Sequence, residues 1–122
     1  MSGLMQGRAL ICSAYDPGGL ISATVMSILR EFFHNQAVDV QLTKADSPEQ
    51  ATRGLASRGG LTLWHISNSP ELLPVCRELH RWRHEERRRA ETISLVYLAR
   101  ELSGHYAAVV ESGAQIVICD VP

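Results

Sequence analysis

Five short apolar runs, separated by four stretches with helical spacing, constrain this chain more than any other feature. The runs are Ala9-Leu10-Ile11-Cys12, 38–42 (VDVQL), 61–66 (LTLWHI), 92–98 (TISLVYL) and 115–121 (QIVICDV). Runs of this length, bounded by turn residues, read as strands. The first is apolar on both sides, which suits the centre of a parallel sheet covered on two faces. The second alternates, with Val38, Val40 and Leu42 on one side, and so reads as a strand nearer an edge. Between them, Leu20, Ile21, Val25, Ile28, Leu29 and Phe32 recur at helical spacing, which predicts an amphipathic helix over 19–34.

The remaining helices carry start and stop signals. Ser47-Pro48-Glu49 opens one, with a hydroxyl cap, Pro at the first helical position and an acid in the first turn. It should stop at Gly59-Gly60, and Gly54 inside it costs about 1 kcal/mol relative to Ala. Ser69-Pro70-Glu71 repeats the pattern and predicts a helix to about residue 88. Pro74 is compatible with it only if the first turn lies there, because an interior Pro loses a hydrogen bond and clashes with the preceding turn. A fourth helix is expected over 103–112, ending at Gly113. The order βαβαβαβαβ predicts an α/β fold: a three-layer α/β/α sandwich with a parallel sheet and right-handed crossovers.

With 122 residues and no internal repeat or linker, the chain reads as one domain, residues 1–7 forming a loose start. The formal net charge of −1 argues against a nucleic-acid coat or a polybasic membrane anchor. The N-terminus lacks the apolar core of a signal peptide, and no apolar run approaches the ~18 residues of a membrane span. A cytoplasmic location is the expectation. Cys12, Cys76 and Cys119 have neither disulfide-framework nor zinc spacing and read as small buried hydrophobes. No metal or cofactor is expected.

In open parallel sheets, ligands bind beyond the carboxyl ends of the strands, at the point where the strand order reverses. Here those ends are 13–19, 65–69, 99–103 and 121–122. They collect Ser13, Tyr15, Asp16, Gly18, Gly19, His65, Ser67, Asn68 and Ser103 as a candidate pocket. The loop Asp16-Pro17-Gly18-Gly19 precedes a helix, whose amides could hold an anion. It lacks the dinucleotide fingerprint and the phosphate-loop Lys. The run from Arg77 to Arg89 is the densest in charge. Its Glu and Arg residues interleave at helical spacing, which predicts a solvated helix. His80 and His84 lie four apart without the Glu of a metalloprotease motif.

The stretch from Arg8 to Pro122 resembles the receiver domain of two-component response regulators. The resemblance is carried by ALICSAYDPGGLISATVMSILREFF, AVDVQLTKADSPEQATRGL, LTLWHISN, TISLVYLAREL and YAAVVESGAQIVICDVP, the ESGA turn being its most specific part. It implies a flavodoxin-like, five-stranded parallel sheet of order 2-1-3-4-5. Receivers bind Mg²⁺ with two acids after the first strand and phosphorylate an Asp at the end of the third. A Ser or Thr ends the fourth strand, and a Lys precedes the final Pro. Position by position, this sequence has Ser13 and Ala14, then His65, Ala99 and Val121.

Composition makes that difference insensitive to register. The basic residues are eleven Arg and one Lys, Lys44, and the only Asp are Asp16, Asp39, Asp46 and Asp120. No Asp lies between 46 and 120, so no small shift restores an acceptor. Without clustered acids there is no site for Mg²⁺, a hard ion that wants carboxylate oxygens. The resemblance therefore implies a degenerate receiver, a pseudo-receiver acting through protein–protein contact without phosphorylation. It would stand alone or within a larger regulator. Receivers also carry a final helix after the Lys-Pro pair, and this sequence stops at Pro122. The sheet face near the last two strands is then under-covered, which predicts self-association or a covering protein partner. The alternative class is a small-molecule or anion-binding domain using the strand-end pocket. An enzyme is disfavoured because no nucleophile–base–acid set can be assembled.

Overall fold

The centre of the sheet is β2 (Ala9–Tyr15), in which residues 10–14 are all buried. In the computed structural model, residues 5–6, 9–53, 55, 59–85 and 92–119 are described. Around β2 the chain runs β1 (Met5–Gln6), α1 (Leu20–Phe32), β3 (Asp39–Lys44), α2 (Pro48–Arg53), β4 (Gly60–Ile66), α3 (Ser69–Glu85), β5 (Thr92–Leu98), α4 (Tyr106–Glu111) and β6 (Ile116–Cys119). Short 3-10 segments, His34–Gln36 and Arg100–His105, precede β3 and α4.

Five strands form an all-parallel sheet in the order β3-β2-β4-β5-β6. This is the flavodoxin-like order expected above, with the alternating strand β3 at an edge. The two-residue β1, in a region expected to be loose, pairs antiparallel with Ala9 and Leu10 of β2. Gly60 permits a close approach of β4 to β2: a Cβ there would lie 2.4 Å from the Ile11 carbonyl oxygen.

Strand alternation sends side chains to two faces. On one, α2, α3 and α4 close over Trp64, Ile66, Val96 and Leu98, joined by Val75 and Leu79 of α3 and Val109 of α4. Full burial of such side chains contributes about 1.5–3 kcal/mol each. On the other, Met26 and Leu29 of α1 and the following Phe33 pack on Leu10, Cys12, Val40 and Leu61. Burial raises the Cys12 thiol to about 11, which leaves it inert at neutral pH.

Several boundaries differ from expectation. Pro74 lies inside α3, not in its first turn. Pro70 and Pro74 are both exposed, so the carbonyl that loses its N–H partner lies on the solvent side. The cap of α3 is Asn68, one residue before Ser69: its Oδ1 accepts the Glu71 N–H at 3.3 Å. The stretch expected as one helix over 103–112 starts as the 3-10 turn and becomes α-helical only at Tyr106. Gly54, residues 86–91 with the end of the charged run, and Asp120, Val121 and Pro122 lie outside the described residues. Among the described residues no helix is long and apolar enough to cross a membrane.

Candidate functional site

The strand order reverses at β2, which has β3 on one side and β4 on the other, reached through crossovers. Register fixes what meets there. Tyr15 is paired with Trp64, so the next residues, Asp16 and His65, come level at the carboxyl edge. Asp16 opens a tight turn closed by the Gly19 N–H donating to its carbonyl at 2.9 Å. Gly19 adopts φ 73°, a left-handed conformation that costs Gly nothing. The turn points the Asp16 carboxylate back at the start of α1.

That carboxylate is buried and fully engaged. Its Oδ2 accepts the Ser22 N–H at 2.7 Å, and its Oδ1 lies 3.2 Å from His65 Nδ1. A carboxylate only accepts, so the pair places a proton on Nδ1. The His65 ring packs edge-on to Tyr97, with centroids 5.6 Å apart. Burial pushes the Asp16 carboxyl up, but the Ser22 and His65 hydrogen bonds outweigh it and hold the group below its ordinary value.

Residues on the other side of the same edge form a separate set. The Tyr15 hydroxyl donates to Glu71 Oε2 at 3.1 Å. Glu71 Oε1 accepts from the Ser67 N–H at 2.9 Å and its hydroxyl at 2.7 Å. With the Asn68 cap this is a variant of the capping box, so Ser67, Asn68 and Glu71 build the start of α3. Burial raises the Glu71 carboxyl, and the bonds from Ser67, Tyr15 and Asn68 bring it below its usual range. Burial also raises Tyr15, helped by the adjacent Glu71 charge.

The edge therefore brings Asp16 and His65 together, and Tyr15 with Ser67 and Asn68. Ser13 and Ala14 lie back inside β2, short of the level of His65. The Ser13 Oγ is buried with no hydrogen-bond partner among the described residues. Gly18 is exposed in the turn. Ala99 follows β5 and donates its N–H to the Ile66 carbonyl at 2.9 Å. Ser103 lies half-buried in the 3-10 segment beyond it. Val121 lies outside the described residues.

The structure adds two placements that the sequence did not. Lys44 reaches the strand ends. The strand that carries it runs to residue 44 rather than 42, which brings the side chain to the carboxyl edge. There a Cβ on Gly19 would sit 3.7 Å from its Nζ. Asp16 and His65, both expected at the strand ends, bond to each other. Sequence spacing and composition carry no signal for that contact or for the reach of Lys44. Tyr97 borders the site as well.

Chemically, the partners of His65 among the described residues are a carboxylate and an aromatic ring. No group of three or more His, Cys, Asp or Glu side chains is placed to hold a metal ion among the described residues. The Asp16 carboxylate also occupies the start of α1, where a bound anion would otherwise sit.

On the same sheet face lies a second feature. A groove of about 600 Å³ runs between α1 and β4–β6, over Leu61, Ile93, Leu95, Ile116 and Ile118. Val25, Ile28 and Leu29 of α1, with Phe33 just after it, form its wall. Every residue lining it is apolar. Comparisons with protein-family models, curated proteins and solved structures return no significant match.

Proposed function

We propose that this chain is a non-enzymatic interaction module on a receiver-like scaffold, acting through protein–protein contact and independently of phosphorylation. The observation that carries the reading is the open apolar groove beside α1. An open groove lined only by apolar side chains is a common form of interaction site on a globular domain. The strand-end centre supports the second half of the reading. Asp16 is spent on Ser22 and His65, and a lone engaged carboxylate is a poor Mg²⁺ ligand set. In this reading the module works in the cytoplasm, alone or as one domain of a larger regulator.

Incubation with acetyl phosphate and Mg²⁺ should leave the intact mass unchanged, while an apolar dye such as bis-ANS should bind the folded protein. A stoichiometric phosphoryl adduct, or no dye binding at any protein concentration, would overturn the proposal.

A second reading, a small-molecule site at the strand ends, draws on the Asp16–His65 pair at the switch point. An anion is the least suitable ligand, because it would meet the Asp16 carboxylate. Thermal shifts with a panel of uncharged and cationic small molecules, such as nucleosides, sugars and amines, test it; silence across the panel removes it.

A further inference from the structure

We infer that His80 and His84, on the outer face of α3, form a binding site for a divalent transition-metal ion of the nickel, copper and zinc group. One nitrogen of each ring would ligate the ion. The site is independent of the groove, which lies on the opposite face of the sheet.

The placement follows from the helix. Val75, Glu78, Leu79 and Trp82 form the buried stripe of α3. His80 and His84 are exposed on the side turned away from it. Residues four apart on a helix stand one above the other, so both rings project from the same strip of surface. Their centroids are 4.3 Å apart, with the planes at 67°. Two nitrogens that ligate one ion at about 2.0–2.1 Å are themselves ~3 Å apart. Rings this close reach that separation by side-chain rotation, with no movement of the helix.

The donors select the ion. Elsewhere on α3, Glu78 and Arg81 neutralise each other as an ion pair. Two neutral imidazoles at similar spacing instead offer one nitrogen lone pair each to a shared cation. Imidazole suits nickel, copper and zinc, whereas Mg²⁺ and Ca²⁺ want carboxylate oxygens. No third His, Cys, Asp or Glu side chain joins the pair among the described residues, so water fills the remaining positions. Arg77, Arg81 and Arg83 flank the histidines. Their repulsion, relieved at Arg81 by Glu78, makes this a weak and exchangeable site, unlike a closed structural zinc site. What raises it above a lone histidine is the chelate: once one ring holds the ion, the helix keeps the other at high effective concentration.

Calorimetric titration of the full chain with Ni²⁺ should show one site that Mg²⁺ does not fill. His80→Gln and His84→Gln should each weaken it about tenfold or more, because each breaks the chelate. Both positions are exposed, and unchanged circular dichroism confirms that the variants fold. His34→Gln, at an exposed histidine on another element, should leave binding unchanged. In proton NMR, Ni²⁺ should broaden the ring signals of His80 and His84 together, ahead of those of His34 and His105. No binding at a large excess of Ni²⁺, or equal binding of Mg²⁺, overturns the proposal. So does a loss confined to one of the two α3 variants, which leaves a single-histidine contact, or binding that survives both substitutions.

Discussion

On the α3 side of the sheet, Trp64, Ile66, Val96 and Leu98 have no exposed surface at all. On the α1 side, Ile116 and Ile118 of the edge strand β6 are 43% and 44% exposed. Both faces are apolar, because strand alternation supplied Val, Ile and Leu to each. What differs is the number of helices. Strands lie about 4.8 Å apart, and a helix with its side chains is about 10 Å wide, so one helix covers about two strands. α1 covers β2 and β3, and the groove begins where its width runs out. Three helices on the opposite side leave no such gap. The difference between the faces is thus one of covering elements, not of strand composition.

The contrast can be broken by substitution. Trp64→Ala should cost the most, about 3–5 kcal/mol in urea unfolding, because it empties a closed face and removes the Trp64 Nε1 bond to Thr62. A loss under about 1 kcal/mol would mean that this face is looser than its burial implies.

Asp16→Ala should cost about 1.5–3 kcal/mol, since it removes a charged acceptor from the Ser22 N–H and from His65. Its loss should also alter the acid limb of stability. The folded Asp16 carboxyl lies below its ordinary 3.8, so the folded state binds fewer protons than the unfolded one in that range. The stabilisation is complete above that value and is lost as pH falls through the folded one. Glu78 behaves alike. Burial raises its carboxyl, but Arg81 and Thr52 bring it below its ordinary 4.5. The wild type should therefore lose stability on acidification below about pH 4, and Asp16→Ala less steeply. Equal slopes would remove the assignment.

Ser13→Ala should be neutral or stabilising by about 1 kcal/mol, because it deletes a buried hydroxyl without a partner. Destabilisation would reveal a partner for that hydroxyl. Ile118→Ala should cost the least, under about 1 kcal/mol. A cost near that of Trp64→Ala would mean that the groove is covered in solution.

The central position of β2 and the edge position of β3 were legible because burial writes directly into period and run length, whereas the full strand order came from the resemblance. Val38, Val40 and Leu42 alternate, whereas 9–12 do not. The pairing of Asp16 with His65 was not legible. Each was visible as a candidate, but their contact depends on Tyr15 facing Trp64, a register between strands set 49 residues apart at this pair. Lys44 escaped for a similar reason: two more residues of β3 carry it to the edge, and boundaries are the weakest part of any periodicity argument. Ser69 looked like the cap of α3 by residue type alone, yet Asn68 serves as well by type and has the geometry.

One consequence follows from the bond between Asp16 and the Ser22 N–H. The carboxylate is tethered by six residues of chain to the amide it serves. Its effective concentration there is on the order of millimolar or higher, whatever the surroundings contain. A free phosphate or carboxylate would have to outcompete an occupant that never diffuses away. The start of α1 is thereby insulated from the composition of the solution, and the loop it anchors keeps one conformation across changes in metabolite level that would move a vacant site.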